Sequence, residues 1–486
     1  MLLAAAGDRV PLLRGPAPYP PEWQWPLRDA VPPGPVWPAV LAAGALVLLL
    51  ALSGSSPWRS RPLRASRILL SAASVLGAAF ALTLLAPEPD GVLPTLLGRV
   101  AYRTATSYYT VALSPEAADP LEFLRHHHEL LAGFRKGAKH AATHPPGPVL
   151  AYRGLLAVCA RAPGLTRAVL RAAGLPESNP RRPRPELDAR ARAAGVLGGL
   201  AILVACVLTA WPIAALGRGL GCGALEAARL GTLWTLLPGP VLMLPQFDQA
   251  LALPVTLSAA ALARALRADG QGRGLSWAAL AGLFGAVALA FSYGAPAFLA
   301  LGGLAVLAAA LARGLAPAPA IGRCAVAAGV TAALFAAPAL AGHHPVASAL
   351  EALRIHREFF TRPREYGVWL AFDPLDLAVF LGAPVAVSLV LATAHAVGRV
   401  VRRESGTAPT AFRLGAMGVL VALVLSGQTR GEVGRIWIPI MPVLLVAALA
   451  RPAQESEGGP TAGEAVLLAL LLVPMDLVLA LSWKFF

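Results

Sequence analysis

Arg430, Glu432 and Arg435 stand close together in "SGQTRGEVGRIWIPIMP" (426–442). A guanidinium forks around phosphate or carboxylate oxygens, so this cluster reads as an anion-binding group, or as arginines neutralised by Glu432. "LPQFDQALALP" (244–254) sets Asp248 between two glutamines at the edge of an apolar run. A carboxylate there accepts a proton from a nucleophile if it lies at membrane depth, and is inert at a wet loop tip. Both readings of Asp248 stand. "AATHPPGPVL" (141–150) ends a long polar stretch with His144, two prolines and a glycine. The prolines make a rigid helix start, and His144 titrates near neutral pH. "YRTATSYYTVA" (102–112) adds the phenols of Tyr108 and Tyr109. These residue types bind anions and sugars and move protons. No P-loop, GxSxG, HExxH or nucleotide fingerprint accompanies them.

Metal and redox chemistry find little here. Neighbours in "HHHE" (126–129) point about 100° apart on a helix and do not converge on one ion. Cys159, Cys206, Cys222 and Cys324 lie in or beside apolar segments without a CxxC pair. They read as small buried hydrophobes, with no disulfide and no structural zinc. No metal and no cofactor is expected.

The elements that must position these residues are membrane helices. The chain has 486 residues, of which 57% are hydrophobic and 14% charged. Soluble domains carry roughly a quarter charged residues. The net charge of +15 comes mainly from Arg, much of it in short linkers where it orients helices, and is no nucleic-acid signature. Apolar segments fall at 37–53, 68–86, 148–163, 194–216, 223–244, 250–266, 276–292, 296–314, 320–341, 375–397, 411–426, 436–450 and 461–482. The expected fold is an all-α, polytopic transmembrane bundle of about 11–13 spans. An outer N-terminal segment, 1–36, precedes a single transmembrane domain, 37–486, with outer loops 87–147 and 342–374. Within those loops, "DPLEFLRHHHELLAGFRKG" (119–137) and "ASALEALRIHREFF" (347–360) have the apolar spacing of juxtamembrane helices.

Arginine-rich linkers at 55–67, 179–192, 267–274 and 398–403 read as cytoplasmic. Alternation then places 427–435 outside, where Arg is disfavoured and needs another purpose. It fails between 194 and 266, so 223–244, with Pro238, Pro240 and Pro245 at its end, is expected to be broken or re-entrant. Asp373 before Pro374 reads as a helix cap. Glu226 and Arg229, three apart, read as a structural ion pair.

"THPPGPVLAY", "LPQFDQALALPVTLSAAALARAL" and "RGEVGRIWIPIMPVLL" together resemble the polytopic GT-C glycosyltransferases, such as the lipid A aminoarabinose transferase and the protein mannosyltransferases. The resemblance covers roughly residues 68–450. It implies transfer of a sugar, with inversion, from a polyprenyl-phosphate donor to a lipid, glycan or protein acceptor. The reaction would lie on the outer face of a bacterial inner membrane. It further implies a carboxylate base and Arg side chains on the leaving phosphate. The family's acidic pair precedes its Pro-Pro stretch by some 35 residues, whereas no carboxylate stands between Tyr102 and Leu113 here. Asp8, Asp119 and Asp248 are the replacement candidates for the base, with Glu122 behind them. His144, Tyr108, Tyr109, Arg430, Glu432 and Arg435 are the candidates for binding substrate. A secondary transporter, or an inactive lipid-binding scaffold, is the alternative.

Overall fold

The computed structural model describes residues 10–28, 36–85, 91–102, 106–176, 187–404, 406–451 and 458–485. Asp8 lies outside them. The fold is an all-α transmembrane bundle. Among the described residues no strand forms, and one antiparallel bridge joins Leu27 to Trp483.

From the N-terminus, α1 (Trp37–Leu52) and α2 (Pro62–Thr83) form a hairpin. A layer of short helices follows: α3 (Val92–Val100), α4 (Tyr108–Ala112), α5 (Pro120–Arg125), α6 (His127–Phe134), α7 (Gly147–Arg161) and α8 (Pro163–Ala172). Next, α9 (Ala189–Leu208) and α10 (Ala210–Leu220) make one apolar rod with a step at Thr209. A second rod, α11 (Ala224–Trp234) and α12 (Pro238–Leu242), precedes α13 (Phe247–Ala265). Three long helices come next: α14 (Gln271–Phe291), α15 (Ala295–Ala312) and α16 (Pro317–Ala336). Then come α17 (Pro345–His356), a π-turn (Arg357–Thr361) and α18 (Tyr366–Phe380). The last helices are α19 (Ala383–Val401), α20 (Ala408–Ser426), α21 (Met441–Leu449) and α22 (Ala462–Ser482).

Eight of these elements are long and apolar enough to cross a membrane: α2, the α9–α10 rod, α14, α15, α16, α19, α20 and α22. Such helices satisfy their own backbone hydrogen bonds, which lipid cannot do for them. Proline stands in the first turn of α1, α2, α15, α16, α19 and α20, where its missing N–H costs nothing.

The structure explains why alternation fails between 194 and 266. The segment expected as a span at 148–163 is α7, whose Arg153 donates to the carbonyls of Ala112 and Ala118 in the short-helix layer. Its 15 residues extend roughly 22 Å, less than a bilayer core of about 30 Å. Residues 187–192, expected on the other face with the arginine-rich linkers, belong to the same layer, because the Tyr109 hydroxyl donates to the Ala191 carbonyl (2.6 Å). With α7 and residues 187–192 in this layer, the segments between 194 and 266 join opposite ends of the α9–α10 rod, and at the far end Arg267 meets the Gly219 carbonyl. The segment at 223–244 is broken between α11 and α12, and Leu225 to Gln246 is buried throughout. Irregular backbone is thus covered by protein.

The face opposite the short-helix layer is stitched by arginine. Arg267 and Arg313 donate to the Gly219 carbonyl at the end of α10. Arg323 reaches Ala265 at the end of α13, and Arg413 reaches Ala447 and Ala450 at the end of α21. Helix C-termini leave carbonyls unbonded and carry partial negative charge, so guanidinium groups answer both needs. Buried deeper is the Glu226–Arg229 pair at 2.9 Å, with both side chains out of solvent. Arg229 also donates to Ser53 Oγ, to the Ser53 carbonyl and to the Pro460 carbonyl, joining α11 to two linkers. Removing one member of a buried pair strands the other charge. Arg229→Ala is expected to lower stability by about 3–5 kcal/mol, read as a fall in the thermal midpoint of the detergent-purified protein. An unchanged midpoint would contradict this account.

Candidate functional site

Asp248 sits in the first turn of α13, and its place follows from local sequence. Gln246 and Gln249 form a reciprocal capping box, with the Gln246 N–H donating to Gln249 Oε1 (3.1 Å), so "QFDQ" starts the helix at Phe247. Asp248 Oδ2 lies 3.8 Å from Arg435 Nε. Arg435 Nη2 lies 2.8 Å from Glu432 Oε2, and the other Glu432 oxygen is 3.5 Å from Arg364 Nη2. The four side chains form a row of alternating charge.

The turn carrying Glu432 and Arg435 is strained. Glu432 has φ of 58°, a left-handed conformation that costs a residue with a Cβ about 1–2 kcal/mol. Two carboxylates one helical turn apart on α18 hold it. Asp373 Oδ1 accepts from the Gly431 N–H (3.1 Å), and Asp376 Oδ2 accepts from the Gly434 N–H (2.8 Å). A hydrogen bond contributes about 0.5–1.5 kcal/mol, and stranding a buried amide costs about 1–3 kcal/mol, so the pair offsets the strain. Gly434 is required because a methyl there would collide with the Phe380 ring. The N-terminal segment supports the clasp from behind. Trp25 Nε1 donates to Asp376 Oδ1 (2.8 Å), while Glu22 accepts from the Glu365 N–H and from Trp369 Nε1.

The Asp373 cap expected from sequence is therefore corrected. The helix begins at Tyr366, Pro374 lies inside it, and Asp373 is buried in mid-helix. The clasp residues Glu22, Trp25 and Asp376 were not singled out as a site. The readable signal was the spacing of Asp373 and Asp376 together with glycines flanking Glu432.

"THPPG" gains a packing reason. Gly147 opens α7 directly against the end of α14, where a methyl would strike the Ala290 carbonyl. His144 Nδ1 lies 2.8 Å from the His140 carbonyl. A carbonyl only accepts, so Nδ1 carries the proton and Nε2 remains an acceptor. Burial, with His140 nearby, pushes the His144 pKa down to about 3, so the ring is neutral at physiological pH. Tyr108 packs edge-on against His144 and Phe247, with ring centroids 5.3 and 5.2 Å apart. Burial and the adjacent Asp248 raise its phenol well above the usual value, keeping it a donor.

These groups line one cavity of about 630 Å³. Asp248, Glu432, Arg435, Arg430, Arg364, His144, His140, His356, Tyr108 and Gln246 supply its polar lining. Leu289, Phe298, Phe335, Leu350, Leu353 and Leu423, from α14 to α17 and α20, supply an apolar flank. Three guanidinium groups face two carboxylates, so the charged lining is positive in excess. Burial opposes ionisation of Glu432, but Arg435 and Arg364 outweigh it and hold the carboxyl below its usual range. Burial dominates at Asp248 and raises it to about 6, against the pull of Arg435. Burial also works against the Arg435 charge, and Glu432 and Asp248 more than offset it.

The remaining expectations divide. Arg430 lines the cavity, but its N–H groups largely serve backbone: Nε donates to Gly427, and Nη1 to Thr361 and Arg364. It staples the turn more than it reaches outward. Tyr109 is turned away into the α9 contact and does not line the cavity. Asp119 caps α5 by accepting from the N–H groups of Glu122 and Leu121, which hold its carboxyl below the usual range. It too lies away from the cavity. The three adjacent histidines diverge, and no group of three His, Cys, Asp or Glu among the described residues is placed to hold a metal. A hollow of about 770 Å³ beside α4 and α6 has carboxylates from Glu116 and Glu129 but no basic lining residue among those described.

No protein-family profile matches the chain, and no curated protein or solved structure matches it significantly.

The clasp yields a local test. Asp373→Ala and Asp376→Ala are each expected to speed amide exchange across residues 428–437 about tenfold or more, the equivalent of one buried hydrogen bond. Hydrogen–deuterium exchange mass spectrometry reads it. Equal exchange in variant and parent would remove the clasp as the support of this turn.

Proposed function

We propose that this protein is a membrane glycosyltransferase. It moves a sugar from a polyprenyl-phosphate donor to an acceptor hydroxyl on the extracytoplasmic face of a bacterial inner membrane. The observation that carries the reading is the single cavity in which a row of carboxylate and guanidinium groups adjoins a flank of Leu and Phe from membrane-crossing helices. Such a lining suits a ligand with a polar, anionic head and an apolar chain. The positive excess favours a phosphate, and the phenol and imidazole offer one donor and one acceptor to sugar hydroxyls.

The chemistry follows from the order of groups. Asp248 accepts the proton of the acceptor hydroxyl as its oxygen attacks the anomeric carbon. The bond from that carbon to the lipid-phosphate oxygen breaks, and the electron pair leaves on the phosphate. Arg435, already near Asp248, meets the charge that develops there. Glu432 fixes the Arg435 side chain and keeps the site from holding a bare cation. His144 and Tyr108 orient the sugar and do not themselves take the proton: neutral His144 is too weak a base and Tyr108 too weak an acid. Orientation draws support from the short arginine-rich linkers 55–67, 267–274 and 398–403, all on the face opposite the cavity.

Deleting the gene is expected to change envelope glycans and to accumulate a polyprenyl-phosphate-linked sugar, detected by mass spectrometry of lipid extracts. Asp248→Asn is expected to lower transfer by about 10²- to 10⁴-fold, the usual contribution of a general base. Because the base works ionised and its pKa is raised to about 6, kcat/KM should rise with pH through about 6 and level off above it. A deletion strain with unchanged glycans and lipid-linked sugars sinks the reading.

A further inference from the structure

Of the nine histidines in the chain, His127, His128, His343 and His344 meet at one junction. On one side is α6 with the residues leading into it. On the other is the start of α17, whose Leu350, Leu353 and His356 wall the cavity. We infer that this junction is an acid-released latch: neutral imidazoles dock α17 against α6, and protonation frees α17 and with it the cavity wall. The inference rests on α17 lining the cavity and not on the reaction proposed there.

The geometry needs uncharged rings. His127 is 1% exposed, and its Nδ1 lies 3.2 Å from Ser348 Oγ on α17. Its ring meets that of His343 edge-on at 5.8 Å, and the rings of His128 and His344 meet the same way at 4.9 Å. His343 Nδ1 donates to the Leu124 carbonyl (2.8 Å), which reaches back across the junction. The His127–His343 pair is buried, as is the apolar contact of Leu131 on α6 with Ala352 and Ile355 on α17, while His344 is exposed. One added proton in the buried pair places a charge against a neighbouring ring, and two place like charges together.

The surrounding charges do not compensate the buried His127–His343 pair. Glu122 and Glu129 flank His126, on the exposed side. Glu129 also comes within 3.7 Å of His128 Nε2. Arg125 donates to Glu122 and to the Ala341 carbonyl, adding positive charge beside His343. On α17, Glu351 is taken by Arg354. Among the described residues no carboxylate contacts His127 or His343. Burial lowers both, His127 to about 3, with His343 and His128 adding to the effect on His127.

The sign follows from linkage. A released histidine titrates near 6.5, above its docked value, so the released form binds more protons. Docking is therefore fully favoured above about pH 6.5 and is lost as pH falls below it. For each such histidine the docking equilibrium weakens about tenfold per pH unit until the docked value is reached.

The test is hydrogen–deuterium exchange of the full chain in lipid nanodiscs at pH 7.5 and pH 5.5, corrected for intrinsic rates. Peptides covering 121–131 and 341–356 should exchange about tenfold faster at pH 5.5, with the transmembrane helices unchanged. His127→Phe, which keeps a ring beside Phe123, together with His343→Gln, should abolish that difference. A second readout guards against a poorly folded double variant. Leu353→Cys in the otherwise unaltered chain should react faster with a charged maleimide at pH 5.5, after correction for the thiolate fraction. Equal protection and equal labelling at both pH values overturn the latch. So does a pH response that survives in the folded double variant.

Discussion

Two carboxylates on one face of α18 hold the turn on which the cavity depends. Asp373 and Asp376 grip the amides of Gly431 and Gly434, and between those amides Glu432 takes up a left-handed backbone. That conformation aims Glu432 and Arg435 toward Asp248 on a distant helix. The strain is local and small, while the clasp makes two buried hydrogen bonds, so the balance favours the aimed turn. Trp25 and Glu22 then tie the N-terminal segment to the same helix. A segment outside the helical bundle thereby helps to fix the cavity lining.

The electrostatics of the cavity follow from this arrangement. Glu432 is shared by Arg364 and Arg435, which keeps it ionised despite burial. Asp248 has only a long contact to Arg435, so burial prevails and its pKa rises. Two carboxylates in one cavity are thus driven in opposite directions by how many guanidinium groups each one holds. This separation is what acid–base chemistry requires of neighbouring carboxyls. His144 is neutral for a related reason: burial, with His140 nearby, outweighs the backbone hydrogen bond that favours its charged form.

On the other face, arginine does structural work. Guanidinium groups close the carbonyl ends of α10, α13 and α21, and Arg229 joins α11 to two linkers. The excess of Arg over Lys suits this use. A planar fork bonds several carbonyls at once, where an ammonium is a point charge. Of the arginines in the positive linkers, Arg267 also closes a helix end.

Hydropathy by itself determined the class of fold, since only helices satisfy their backbone in lipid over so many apolar runs. Sequence also marked Asp248, His144, Tyr108, Arg430, Glu432 and Arg435 as polar groups near membrane boundaries, and the fold brings these into one cavity. Local pattern did not separate α7 from a true span, because Arg153 looks like a flanking charge until its carbonyl partners in the short-helix layer are known. Nor did it separate Tyr108 from Tyr109. Adjacent residues on a helix point in different directions, and only packing against α9 or Phe247 decides which faces the cavity. Asp373 followed by proline has the local form of a cap, and only the turn at 431–434, far along the chain, makes it a clasp. The sequence alone determined which residues bear the charge. Tertiary structure decided which of them share a cavity and which support it, because burial and pairing depend on contacts between segments hundreds of residues apart.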